Sequence, residues 1–134
     1  MTTDICMHTR LNLPYAQAVQ KTTDALKAEG FGVLTQINMQ PTLKRRTDID
    51  FRHYVILGGC NPPLAHRALS ADLDIELSLP CNVTVYEEDG GSVVTVVDPL
   101  EIFGVINEDP VAHEVAVEAR VRLQRVIASL KQSK

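Results

Sequence analysis

At 134 residues the chain has the size of one domain, taken as residues 1–134, and is long enough to bury a core. Its 45% hydrophobic and 22% charged residues exclude a disordered chain, and a net charge of −4 with a pI near 5.5 opposes the basic face of a duplex nucleic-acid binder. No apolar run approaches a membrane span and "MTTDICMHTR" has no signal-peptide core. The expected location is the cytoplasm, where Cys6, Cys60 and Cys81 stay reduced.

Residues 4–9 alternate loosely and predict a short strand. Pro14 suits the first turn of a helix, in which Tyr15, Val19, Thr22 and Leu26 recur at helical spacing. Gly30 ends it as a left-handed cap, with Phe31 folding back on the last turn. "FGVLTQINM" predicts a second strand. Residues 41–50, "PTLKRRTDID", read as irregular or as one helical turn. "FRHYVILGGC" is a third strand with its apolar centre at residues 54–57. Asn61 is a good N-cap and Pro62 loses no hydrogen bond at the first helical position, so a short helix follows through about Ala71. "DLDIELSLP" is a connector with room for a helical turn. "CNVTVYEE" and "SVVTVVDP" form a hairpin around "EDGGS", and "LEIFGVIN" reads as a loop or poor strand. Asp109 and Pro110 open the last helix. Its apolar stripe is Ala112, Val115, Ala116, Ala119, Leu123, Val126, Ile127 and Leu130, and Lys131 and Lys134 suit the end of its dipole.

The predicted order is β-α-β-β-α-β-β-α, without linker, repeat or low-complexity tract. Hairpin pairing favours an α+β fold, a mostly antiparallel sheet with two main helices on one face. In "SVVTVVD", Val94 and Val96 fall on one face and Val93 and Val97 on the other. A sheet covered on one side only has a wetter second face, so a homodimer through the second sheet face is expected.

"YVILGGCNPPLAHRAL", "LPCNVTVYE" and "VVDP" together resemble the domain-of-unknown-function family 302. The specific part is Cys-Asn-Pro followed about twenty residues later by Pro-Cys-Asn. The likeness extends to "EGFGVLT" and the last helix, and is weaker over residues 40–50. The resemblance implies a curved antiparallel sheet similar to a half-domain of the TATA-binding protein, and implies no particular activity.

The candidate ligand-binding or thiol residues are Cys60, Asn61, His66, Cys81 and Asn82. Cys60 stands one residue before a helix cap, where the positive helix end lowers a thiol pKa. As a small apolar residue it equally suits a tight corner. Asn82 offers a turn or cross-strand hydrogen bond as readily as a ligand contact. His53 lies roughly 23 Å along the strand from Cys60, at the wrong end. His66 is about 8–9 Å along the helix, within reach only through a water. Cys60, Cys81 and one histidine fall short of the four ligands of a structural zinc site. No phosphate loop or catalytic-serine elbow appears, and the pattern specifies no cofactor. Asp98 and Glu101 could pair as carboxylates, but "VVDPLE" reads first as a strand end with a turn; residues 44–46 with Arg52 could dock an anion, but such a charge run reads first as a solvated loop. The leading expectation is a small binding or sensor module whose pocket at the Cys-Asn-Pro corner takes a small anionic or electrophilic ligand. The alternative is a thiol-dependent enzyme or redox protein using Cys60. Nucleic-acid binding by the sheet follows from fold analogy alone, and the acidic balance opposes it.

Overall fold

Asn61, Asp98 and Asp109 each stand before a proline, and each starts a helix. Asn61 Oδ1 accepts from the Leu64 amide at 3.2 Å, Asp98 Oδ1 from the Leu100 amide at 3.0 Å, and Asp109 Oδ1 from the Val111 amide at 2.8 Å. In each case the proline occupies a position whose N–H would have had no intrahelical acceptor.

The computed structural model describes residues 6–78, 81–106 and 109–131. The elements in chain order are β1 (Cys6–Leu11), α1 (Tyr15–Ala28), β2 (Gly32–Asn38), α2 (Met39–Thr47), β3 (Tyr54–Cys60) and α3 (Pro62–Ala71). A 3₁₀ segment (Leu73–Ser78) precedes β4 (Cys81–Glu88), β5 (Gly91–Val97), α4 (Pro99–Ile106) and α5 (Pro110–Lys131). The start of the first strand at Asp4, Pro80 of the Pro-Cys-Asn motif, Asn107 and Lys134 lie outside the described residues.

The five strands form one fully antiparallel sheet in the order β1-β5-β4-β3-β2. Neighbours in sequence pair wherever a tight connection permits. The tightest is the β4–β5 hairpin, where Asp89 (φ 49°) and Gly90 (φ 79°) both take positive φ, the geometry of a type I′ turn. β1 and β2 end on opposite edges of the sheet, so α1 must cross it. Its 14 residues span about 21 Å, close to the roughly 19 Å width of five strands. α1 ends in a Schellman cap: Gly30 (φ 85°) donates to the Lys27 carbonyl, and Phe31 donates to the Leu26 carbonyl and is buried.

Val55, Leu57, Val83, Val85, Val94 and Val96 share the face beneath the helices and are wholly buried. Leu26 of α1 and Leu123 of α5 are equally buried in the same core, so the two main helices cover one face as expected. The opposite face carries Tyr54, Ile56, Thr84, Tyr86, Val93, Thr95 and Val97. Cys6, Met7 and His8 of β1 share a cleft of about 370 Å³ with Gln124, Ile127, Ala128 and Lys131 of α5.

Two segments differ from the sequence reading. Residues 39–47 form a full helix, not one turn. It buries none of its residues, so no apolar stripe announced it. The "LEIFGVIN" stretch belongs to α4 over its described length. It is apolar nearly throughout, and such a run has no periodicity to separate helix from strand. The Asp98–Pro99 pair was the available signal. Asp98 serves as that cap and lies 3.2 Å from Arg120 Nε, while Glu101 is exposed.

Candidate functional site

The antiparallel β3–β4 ladder pairs Gly59 with Cys81 and Gly58 with Asn82, while Cys60 pairs with Gly32 on the other side. The ends of β3 and β4 that carry the two cysteines therefore coincide. Cys60, Asn61 and Cys81 border one void together with Phe31, Leu64 and Val115. Asn82 alternates to the uncovered face and is exposed, and His66 is exposed on α3. The corner thus gathers three of the five candidates and disperses two.

Its chemistry is narrow. The void measures about 20 Å³, room for roughly one water. Cys81 is buried, and burial with the nearby Cys60 pushes its thiol pKa up to about 11. It is a protonated packing group at neutral pH, not a nucleophile. Cys60 is half-buried and is the more accessible thiol of the pair. The start of α3 lends nothing to an anion. Pro62 and Pro63 have no N–H, Asn61 Oδ1 holds the Leu64 amide, and the Ala65 amide donates to the Asn61 carbonyl at 2.8 Å. The Asn61 side chain also packs against the α1 cap, since a Cβ on Gly30 would stand 2.8 Å from Asn61 Nδ2.

A larger cleft, about 470 Å³, opens at the other end of the sheet. It is lined by Pro14, Tyr15, Arg52, the end of β4 and the hairpin turn through Gly91. One of its walls is a clasp between three elements. Glu87 Oε1 accepts from the His53 amide at 3.0 Å and lies 3.1 Å from His53 Nδ1. The Tyr15 ring stacks on the His53 ring with centroids 5.0 Å apart. The hydrogen bonds from His53 hold the Glu87 carboxyl below the usual glutamate range, the backbone one contributing most. Arg52 Nη1 donates to the Glu87 carbonyl at 3.3 Å and approaches Glu88 Oε1 at 3.5 Å. Arg52 is thus paired with carboxylate, and Lys44 is paired with Asp48 and Asp50. Sequence reasoning placed His53 at this end but did not connect it to Tyr15 and Glu87, because only the hairpin register and the crossing of α1 bring them together. Among the described residues no group of three or more His, Cys, Asp or Glu is placed to hold a metal ion, and no helix is long and apolar enough to cross a membrane.

Comparison with solved structures finds a similar fold in the crystal structure of an uncharacterized conserved DUF302 protein from Bacillus stearothermophilus. It is 29% identical in sequence with a TM-score of 0.84, covering 94% of this chain and 98% of that one. A comparison with curated proteins found no match. The family model described as "Domain of unknown function DUF302" matches residues 7–130, from the first strand to the end of the last helix. The chain therefore belongs to the DUF302 family.

Proposed function

We propose that the protein is a small binding module, not a thiol catalyst, and that its ligand sits in the cleft at the hairpin end of the sheet. One observation carries this reading: about 470 Å³ of open space there against about 20 Å³ at the cysteine corner. Small-molecule sites run to several hundred Å³ with a few placed polar groups. Glu87, Glu88 and Asp89 outnumber Arg52 along the cleft, and Tyr15 adds an aromatic surface. That lining favours a small ligand bearing an amine or another positively charged, hydrogen-bond-donating group. The test is a titration of ¹⁵N-labelled protein with putrescine, with acetate as the anionic control. Putrescine should shift the amides of Tyr15, Arg52 and residues 87–91, and Glu87→Gln should weaken the response several-fold. Shifts confined to residues 59–64, or none at all, would refute the reading.

A second reading keeps the cysteine corner as a sensing point, where Cys60 takes a small electrophile. It is favoured by the half-buried state of Cys60 beside the sealed Cys81. Alkylation of the folded protein followed by mass spectrometry separates the possibilities: modification of Cys60 ahead of Cys6 supports it, and the reverse order removes it.

A further inference from the structure

The homodimer expected from sequence needs a surface. The apolar positions on the uncovered face of β4 and β5 supply little: Val93 is 9% exposed although no helix covers it, and Val97 is half-buried. The exposed apolar groups lie elsewhere. Leu34 (67%) and Ile37 (47%) are on β2, and Ile49 and Phe51 follow on the segment between α2 and β3.

β2 is an edge strand, paired with β3 on one side and, among the described residues, open on the other. Edge strands are ordinarily guarded by charges, prolines or a covering element. β1, the opposite edge, carries His8 and Arg10 and lies against α5. β2 reads GVLTQIN, without a charge or a proline, and every residue but Val33 is exposed. Its one irregularity, a shift between Val33 and Thr35, leaves residues 35–38 in unbroken register with β3. That stretch offers a row of backbone donors and acceptors.

We propose that a second copy of this chain pairs with β2, edge to edge and antiparallel, so that two five-stranded sheets continue as one across a two-fold axis near Gln36 and Ile37. A strand paired antiparallel with its own copy is self-complementary by symmetry, since each donor on one side meets the equivalent acceptor on the other. Charge supports the same occupant. Two chains of net charge −4 repel through most of their surface, and β2 is a strip where no like charges meet at the axis. α2 continues directly from the end of β2 and carries Arg45 and Arg46, while its Lys44 is paired with Asp48 and Asp50. Antiparallel pairing brings Arg45 and Arg46 toward the start of the partner's β2, on a chain whose net charge is −4.

Light scattering on the full chain at micromolar concentration should give twice the 14.8 kDa of one copy. The double variant Leu34→Lys/Ile37→Lys should run as one copy with an unchanged circular dichroism spectrum, because both side chains are exposed. Val121→Lys, on the outer side of α5, should stay dimeric. Hydrogen exchange of the parent should show amides of residues 35–38 gaining protection as concentration rises, a readout that does not depend on any variant folding. A single-copy mass for the parent, or no such gain, overturns the proposal. So does dissociation by Thr95→Lys on the uncovered face without dissociation by the β2 variant, which would assign the dimer to the face and not the edge.

Discussion

Cys81 keeps its proton because the folded chain denies its thiolate water. Its pKa stands near 11 in the fold against an ordinary value of 9.0, so the folded state binds the proton more tightly than the unfolded one. The resulting stability is complete below pH 9 and is lost as pH rises toward about 11, an effect on the order of 2–3 kcal/mol. Melting temperature should therefore fall over that interval, and Cys81→Ala should flatten the fall. Glu87 has the opposite sign. Its lowered pKa gives stability that is present at neutral pH and lost as pH drops below the usual glutamate range. Replacing Glu87 with Gln should remove that acid-side loss, read from melts at pH 3 to 5. Asn61 does structural work at the same corner as Cys81. Asn61→Ala should cost about 1 kcal/mol through the lost cap on Leu64.

The helices show what patterning can and cannot reveal. α1 and α5 each have one apolar stripe, and both stripes were legible because a helix covering one sheet face must alternate faces every 3.6 residues. Leu123→Ala should cost about 3 kcal/mol, and Leu26→Asp or Leu123→Asp should abolish the cooperative melt, since each would bury an unpaired carboxylate. A melt like that of the parent for either aspartate variant would contradict its place in the core. The Asn61 cap, the Gly30 cap and the Asp89–Gly90 turn were legible for a different reason: each needs a particular residue type at one position. α2 gave no pattern because it touches the core with none of its residues, and α4 gave none because it is apolar on nearly every side. The candidate site divides the same way. Cys60 ends one strand and Cys81 begins the next, so antiparallel pairing of β3 with β4 is enough to put them at one end of the sheet. That Pro62 and Pro63 leave the helix start without a spare amide was written in the sequence but outweighed by the N-cap signal. The Tyr15–His53–Glu87 clasp depended on strand register and on the path of α1, and neither is set by local sequence.

The strand order places β1 beside β5, although more than eighty residues separate their paired positions. β1 brings Leu11 and Thr9 into the core and closes the β5 edge. A chain starting at Asn12 should consequently lose its single cooperative transition by circular dichroism, because buried apolar surface and a ladder disappear together. The same arrangement has a consequence for how the backbone can be cut. Cys6 and Lys131 border one cleft, so the first and last described elements, β1 and α5, bring their outer ends to the same side of the fold. Joining Lys131 to Cys6 through a short glycine-serine linker and opening the chain between Asp89 and Gly90 keeps all four strand pairings and every helix, and exchanges only one turn for one linker. Such a circular permutant should fold with a parent-like spectrum and a cooperative melt, its β4 and β5 now meeting as the two ends of the polypeptide instead of across a two-residue turn.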